Sequence, residues 1–207
     1  MLAVNPHDLA RVADLQERWT AEWHEAATPP CDDVFESLAE REHRANFDLW
    51  HEEDGARDPA ATDAEIAGIK HAIDRLNQQR NDLIEQMDLL LLESCEKQRA
   101  DAPLHSETPG MMLDRLSILA LKLFHTRLEA ERATATAEHR ARNQERSELL
   151  ISQRTDLVAC LVSLLTEVAG GTRRFKLYRQ LKMYNDPELN PSIYRLHAAK
   201  RADAGES

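Results

Sequence analysis

The sequence predicts an all-α protein, a single-domain bundle of long helices with a polar, charged cluster in its core. Two observations point to helix. The 207-residue chain holds only 6 glycines and is rich in Leu, Ala, Glu, Arg and Gln, which favour helix over strand. Apolar residues also recur at helical spacing along most of the chain, and no segment shows the alternation of a strand. The length is sufficient to bury one core.

Composition and charge exclude several classes of protein. With 42% hydrophobic and 30% charged residues the chain is globular, and its net charge of −11 disfavours nucleic acid and anionic membrane surfaces as partners. Cys31, Cys95 and Cys160 form no CxxC motif, as is typical of a reducing cytosol. The N-terminus lacks a signal pattern, and the clean apolar run at residues 157–165 is too short for a membrane span. We therefore expect a cytoplasmic protein.

The first two helices are defined by apolar spacing and by their ends. Residues 9–23 place Leu, Val and Trp on one helical face, and we expect this amphipathic helix to end before the two prolines at residues 29–30. Asp32 or Asp33 is the N-cap expected for the second helix, which should stop near Gly55.

The third and fourth helical segments have clear capping residues. Thr62 or Asp63 should cap a long third helix that reaches about Gln98. Thr108 is the expected N-cap of the next segment, with Pro109 at its first helical position, where proline is favoured.

The C-terminal part of the chain is expected to contain two more features. The helical pattern after Pro109 runs, with a break or bend, to the glycines at residues 170–171. A short basic helix is then expected from Arg173 to just before Asp186. These boundaries divide the chain into an N-terminal amphipathic helix, a helical-bundle domain and a flexible tail, at residues 1–30, 31–195 and 196–207.

The third helix carries the most informative pattern. At about 100° per residue, six polar residues of this helix fall within about 40° of one line: Lys70, Asp74, Asn77, Asn81, Glu85 and Asp88. An apolar stripe runs beside this line, and Arg80 projects into that stripe. Because a solvated face usually carries more Glu and Lys and less Asn, we expect the line to face inward.

Two neighbouring helices repeat this mixture of apolar and charged residues. Glu53 and Arg57 continue the apolar face of the second helix. The fourth helix is apolar nearly all round, yet it contains four ionisable residues: Asp114, Arg115, Lys122 and His125. Buried charges are costly unless they are paired, so these residues should meet either in a structural salt-bridge network or around a ligand. The sequence leaves both alternatives open.

If the cluster is a ligand site, its residue types suggest three roles. Groups suited to proton transfer are His51, Glu53, Asp54 and Glu85. Groups suited to hold an anionic, phosphorylated ligand are Arg57, Lys70, Asn77, Arg80, Asn81, Arg115 and Lys122. Carboxylates suited to Mg²⁺ or Mn²⁺ are Glu53, Glu85, Asp88 and Asp114.

The known reaction motifs do not distinguish an enzyme from a binding protein for this sequence. The chain has no GxxxxGK[ST], GxGxxG or GxSxG sequence. Glu85-x-x-Asp88 matches only half of the paired signature of all-α nucleotide pyrophosphohydrolases, because Glu52 and Glu53 are followed three residues later by Gly55 and Ala56.

Four long stretches resemble one family. They are NFDLWHEEDGAR at residues 46–57, NQQRNDLIEQMD at 77–88, HSETPGMMLDRLSILALK at 105–122 and FKLYRQLKMYNDPELNPSIY at 175–194. They are similar to the bacterial family catalogued as domain of unknown function 4254, which has no established activity. The resemblance implies shared positions at most of the polar residues named above, and Asp82; His105 departs from the expected Asn. By association it also implies a sugar- or nucleotide-linked ligand in envelope polysaccharide metabolism.

Two hypotheses follow. In the first, the polar cluster binds an anionic small molecule, with metal-assisted transfer or hydrolysis as the reaction. In the second, the protein is a non-catalytic interaction module whose polar core is structural, and the N-terminal helix or the basic residues 173–182 dock a protein partner or a second copy. The first requires a cavity of a few hundred cubic ångströms, whereas the second predicts tight pairing and an outer apolar patch.

Overall fold

The computed structural model describes residues 6–25, 33–95, 98–179, 189–191 and 195. The chain divides into two compact units, Met1–Leu177 and Tyr178–Ser207, and most of the second lies outside the described residues. The described residues of the first unit form five helices: α1 (Pro6–Glu25), α2 (Val34–Gly55), α3 (Asp63–Ser94), α4 (Pro109–Glu131) and α5 (Ala137–Ala169). The described residues contain no strand beyond one isolated bridge. The prediction of an all-α bundle is confirmed.

The helix starts agree with the capping residues read from the sequence. The side chain of Asp33 accepts a hydrogen bond from the backbone of α2, and Thr108 does the same for α4, with Pro109 at the first position. Thr62 forms a capping box with Glu65 at the start of α3. Each cap satisfies a backbone N–H that has no partner within the helix.

Two helix boundaries differ from the expectation. The third helix ends at Ser94 rather than near Gln98, whose side chain instead accepts a hydrogen bond from the backbone N–H of Phe175 at 2.8 Å. The expected break after Pro109 occurs at residues 132–136, where Thr136 starts α5.

The prediction of a basic helix from Arg173 is wrong for the residues that the structure describes. Residues 173–179 are not helical, and the rest of the expected helix lies outside the described residues. Arg174 instead bonds through its backbone to Pro103 O at 3.0 Å and to His105 N at 2.7 Å. Phe175 is buried beside this connection and belongs to the hydrophobic core. These backbone bonds compete successfully with helix formation.

Helix α4 supplies the centre of the core. Leu113 and Leu116 are fully buried, and they pack with apolar residues of all four other helices. Leu9 and Val12 of α1 belong to this same core. Burial of this kind is the main stabilising contribution in a bundle.

The first half of α3 is much less buried than its second half. All its buried residues lie between Leu83 and Leu91. Lys70, which we expected to face inward, lies on the exposed half and pairs with Asp74 of its own helix at 2.5 Å. The 32 residues of α3 extend over about 48 Å, farther than the 23-residue α4 can cover.

Helix α5 is long and apolar enough, by length and composition alone, to cross a membrane, although 22% of its most apolar window is buried in the protein. The buried core helix of a soluble protein meets the same criteria, so this observation is weak. The expected absence of a membrane span stays a prediction.

Asp88 and Gly110 set the distance between α3 and α4. The Asp88 carboxylate accepts a hydrogen bond from Gly110 N at 2.7 Å and so caps the start of α4. A Cβ atom on Gly110 would lie 2.8 Å from Asp88 Oδ1 and 2.9 Å from the backbone oxygen of Ile84. Only glycine therefore allows this approach.

We predict that Gly110→Ala lowers the free energy of unfolding by about 1–3 kcal/mol, because the new methyl group meets a backbone carbonyl that cannot move aside. Gly68→Ala is the matched control, since a Cβ at Gly68 meets nothing within 4 Å. In this control the gain in helix propensity should raise stability by about 0.5–1 kcal/mol. Urea unfolding of both variants measures the difference, and equal effects at the two sites would contradict the close approach.

Candidate functional site

A chain of buried polar side chains crosses the core from α1 to α4. Thr20 Oγ1 lies 2.8 Å from His43 Nε2, and His43 Nδ1 lies 2.8 Å from Ser117 Oγ. Ser117 Oγ in turn accepts a hydrogen bond from Asn46 Nδ2 at 2.9 Å. All four residues are less than a tenth exposed. Polar groups this deep are stable only when they bond to one another.

Each hydrogen bond in this series of buried side chains has a defined donor and acceptor. The Thr20 hydroxyl donates to Gln16 O at 2.8 Å, so Thr20 Oγ1 accepts from the Nε2–H of His43. Burial lowers the pKa of His43 to about 3, so the ring is neutral and its Nδ1 accepts the hydroxyl hydrogen of Ser117. Ser117 Oγ is then the acceptor for Asn46. The tautomer of His43 is thereby fixed.

The chain ends at two adjacent carboxyl groups. Asn46 Nδ2 donates to Glu42 Oε1 at 2.5 Å and lies 3.0 Å from Asp114 Oδ1. Burial raises the pKa of Glu42 well above its usual range, and the charge of Asp114 raises it further. Glu42 Oε2 has no donor beside it, which suits a protonated carboxyl that donates its hydrogen to Asp114. The pair therefore carries one negative charge rather than two.

Arg80 balances that charge and reaches outward from it. Its Nε lies 2.8 Å from Asp114 Oδ1, and its Nη2 donates to Asp114 Oδ2 at 3.2 Å. Among the described residues, the Arg80 Nη1 group has only a long contact, 3.5 Å, to Asn77 Oδ1. One edge of the guanidinium is thus held by Asp114, and the other edge keeps donors for another partner.

Arg80 lines a cavity between α2, α3 and α4. Its volume is about 390 Å³. Its polar lining consists of Asn46, Glu53, Asp54, Arg57, Asn77 and Arg80, with Trp50 and three aliphatic side chains completing the wall. A volume of a few hundred cubic ångströms is typical of small-molecule sites. Five of the sequence-predicted site residues therefore come together here.

Trp50 gives the cavity a flat apolar wall. The imidazole of His125 stacks parallel to the indole at 4.6 Å, which holds the ring in place. Burial lowers the pKa of His125, and the neighbouring His24 and His51 lower it further. An immobilised indole of this kind is suited to contact a sugar ring or a nucleobase.

Several sequence-predicted residues lie elsewhere. The ring of His51 packs against Phe47 at 4.5 Å and His24 at 5.4 Å, in an aromatic cluster outside the cavity lining. Glu85 and Asn81 also lie outside that lining. Arg115 and Lys122 line a different cavity of about 670 Å³ between α4 and α5.

The expected metal ligands do not come together. Asp88 caps α4, Asp114 is held by Arg80 and Asn46, and Glu53 pairs with Arg57 Nη2 at 3.1 Å. Within the described ranges, no group of three or more His, Cys, Asp or Glu side chains is arranged to hold a metal ion. These three carboxylates have different local partners, which the helical wheel of α3 alone does not reveal.

Sequence reasoning missed the deepest members of the polar chain. Glu42 and His43 are fully buried, and they lie on the apolar stripe of α2 that runs from Phe35 through Leu38 to Leu49. The sequence signal for their burial was that these ionisable residues follow Leu38 by about one turn on an otherwise apolar stripe. The contact of His43 with α1 required the tertiary structure.

We predict opposite effects for the two carboxyl groups. Glu42→Gln keeps an acceptor for Asn46 and a donor for Asp114, so the protein should stay at least as stable as the wild type at pH 8. Asp114→Asn leaves Arg80 without its counter-charge and should cost on the order of 3 kcal/mol of unfolding free energy. Urea unfolding tests both variants.

The pH dependence checks the charge of Glu42 directly. If Glu42 keeps its proton in the folded protein at pH values where it is ionised in the unfolded chain, the folded state becomes less stable as pH rises. The free energy of unfolding then falls, relative to that of Glu42→Gln, by up to about 1.4 kcal/mol per pH unit. The advantage of Glu42→Gln should therefore be small near pH 4.5 and grow toward pH 8. A constant difference across this range would show that Glu42 is ionised in the folded state.

Comparison with known proteins identifies a family but no activity. A family described as "Protein of unknown function (DUF4254)" matches residues 36–177. This match includes α2 to α5 and every residue that lines the cavity between α2, α3 and α4. No curated protein and no solved structure matches the chain. The resemblance noted in the sequence is confirmed, and the chain belongs to the DUF4254 family.

Proposed function

We propose that the protein binds a phosphorylated sugar or a nucleotide-linked metabolite in the cavity between α2, α3 and α4. The observation that carries the proposal is the position of Arg80, whose inner edge is held by Asp114 while its outer edge borders the cavity. An arginine that is oriented in advance loses little entropy when it binds a phosphate or carboxylate.

The rest of the lining suits a sugar-containing ligand. Arg57 is a second cation at the cavity, and its side chain is largely exposed. Glu53 and Asp54 offer carboxylate oxygens as acceptors for sugar hydroxyl groups, and Asn77 adds an amide. Arg80 is paired with Asp114 and Arg57 with Glu53, so an anionic group would be held by the remaining N–H donors of the two guanidinium groups.

The chemistry that we propose for this site is limited to groups at the cavity. Glu53 and Asp54 are the lining groups able to exchange a proton with a ligand. If Mg²⁺ or Mn²⁺ takes part, the ligand's phosphate must supply some of its oxygens, because the protein carboxylates are dispersed. We place this activity in the cytoplasm and in envelope polysaccharide metabolism, from the family resemblance and composition.

A non-catalytic interaction module is the second candidate. It is favoured by the tight pairing of Glu42, Asn46, Asp114 and Arg80, which would stabilise the core without any ligand. It is also favoured by the exposed side chains of Leu149 and Ile151 on α5. In this case the protein would bind a partner or a second copy and no metabolite.

Arg57→Gln tests the ligand site without disturbing the core. Because Arg57 is exposed and pairs only with Glu53, the substitution should change the free energy of unfolding by less than about 1 kcal/mol. It should weaken a bound sugar phosphate about tenfold, since one charge-assisted hydrogen bond is lost. Arg18→Gln, which breaks another exposed i,i+4 pair away from the cavity, is the matched control.

The measurement is a thermal-shift screen with hexose phosphates, nucleoside diphosphate hexoses and nucleotides, each with and without Mg²⁺ or Mn²⁺. A ligand at about 100 times its Kd adds about 2.7 kcal/mol. In a chain of this size that raises Tm by roughly 5–11 °C. Shifts that survive Arg18→Gln but shrink in Arg57→Gln support the proposal. A flat screen, or equal shifts in the two variants, would favour the interaction module.

A further inference from the structure

The second cavity lies next to the first on the surface of α4. It is lined by Arg115, Lys122, Met112, Leu119 and residues of α5, and its volume is about 670 Å³. Ile118 lines both cavities, so the two adjoin at this side chain.

Ile118 has a cation on either side along the helix. Arg115 precedes it by three residues and Lys122 follows it by four, so all three share one face of α4. The Arg115 Nη1 group holds both oxygens of Glu107 at 2.9 and 3.0 Å. The Nε and Nη2 atoms of Arg115 make no hydrogen bond to a described residue. Lys122 likewise forms no ion pair with a described residue. Donors for an anion are therefore available at the junction.

The second cavity also contains two carboxylates, Glu107 and Asp156. Glu107 is paired with Arg115, so Lys122 is the lining cation that has no ion pair with a described residue. Met112, Leu119 and Leu157 add apolar lining. Apolar walls with a few polar groups are typical of a site for an organic group rather than for a free ion.

We propose that the two cavities are subsites for one ligand of the diphosphate diester class, with one organic group in each cavity. The phosphate next to the first group is held by Arg80, and the second phosphate lies over Ile118 between Arg115 and Lys122. The proposal rests on the proposed function, since the first cavity would hold the sugar end. It adds the class of the ligand and a role for two cations that lie outside the first cavity.

Calorimetric titration of the full-length protein tests this arrangement. The probes are hexose 1-phosphates, which occupy one cavity, and the matching uridine, guanosine and thymidine diphosphate hexoses, which reach both. The best diphosphate ester should bind about tenfold more tightly than its hexose phosphate. Lys122→Gln should remove this gain and change the Kd of the hexose phosphate by less than about twofold. Ile118→Trp should remove the gain and also weaken the hexose phosphate, because Ile118 lines both cavities.

Arg142→Gln, which removes an exposed cation of α5 outside both cavities, is the control and should keep the gain. Lys122→Gln removes only an exposed amine and remains informative if Ile118→Trp does not fold. If hexose phosphates bind and respond to Arg57→Gln but the diphosphate esters gain nothing, or Lys122→Gln has no effect, the two-subsite proposal is wrong and the one-cavity site stands. If no probe binds, both proposals are wrong.

Discussion

The ion pair between Arg80 and Asp114 is the interaction on which the polar core depends. Arg80 belongs to α3 and Asp114 to α4, and the pair links the buried chain through Asn46 and Ser117 to the cavity. Burial and the charge of Asp114 raise the pKa of Glu42 well above its usual range, which favours the neutral form of Glu42 beside this pair. If both carboxyl groups were ionised, the core would hold an unbalanced negative charge.

The polar residues of this protein divide into two groups with different roles. The side chains from Thr20 through His43 to Ser117 are fully buried and bond to one another, with Gln16 O and Asn46 at the two ends, so their contribution is to fix the register of α1, α2 and α4. The residues at the end of α2, such as Glu53 and Arg57, are exposed at a cavity and hold each other loosely. Arg80 belongs to both groups. An arrangement in which structural bonds orient a cavity-facing group is common in binding sites.

Helix starts and their caps followed from the sequence because they depend on local chemistry: Asp33, Thr62 and Thr108 act on their own first turns. The cavity-lining residues Asn77 and Arg80 were also predictable, from amides and a cation next to an apolar stripe. The position of Lys70 was not, because helical periodicity does not state how far α3 extends beyond its neighbours. Asp88 shows a second limit: its partner is a backbone N–H of α4 at Gly110, and no side-chain pattern indicates such a bond.

The side-chain nitrogen NMR spectrum of Arg80, recorded with and without the best ligand of the screen, tests the central claim most directly. The account predicts slow hydrogen exchange at Nη2 in the free protein, because Asp114 holds that edge of the guanidinium. It predicts that the Nη1 hydrogens become protected only when the ligand is present. An Arg80 whose Nη2 hydrogens exchange as rapidly as those of a solvated arginine, or whose Nη1 hydrogens do not respond to a ligand that binds, would contradict it.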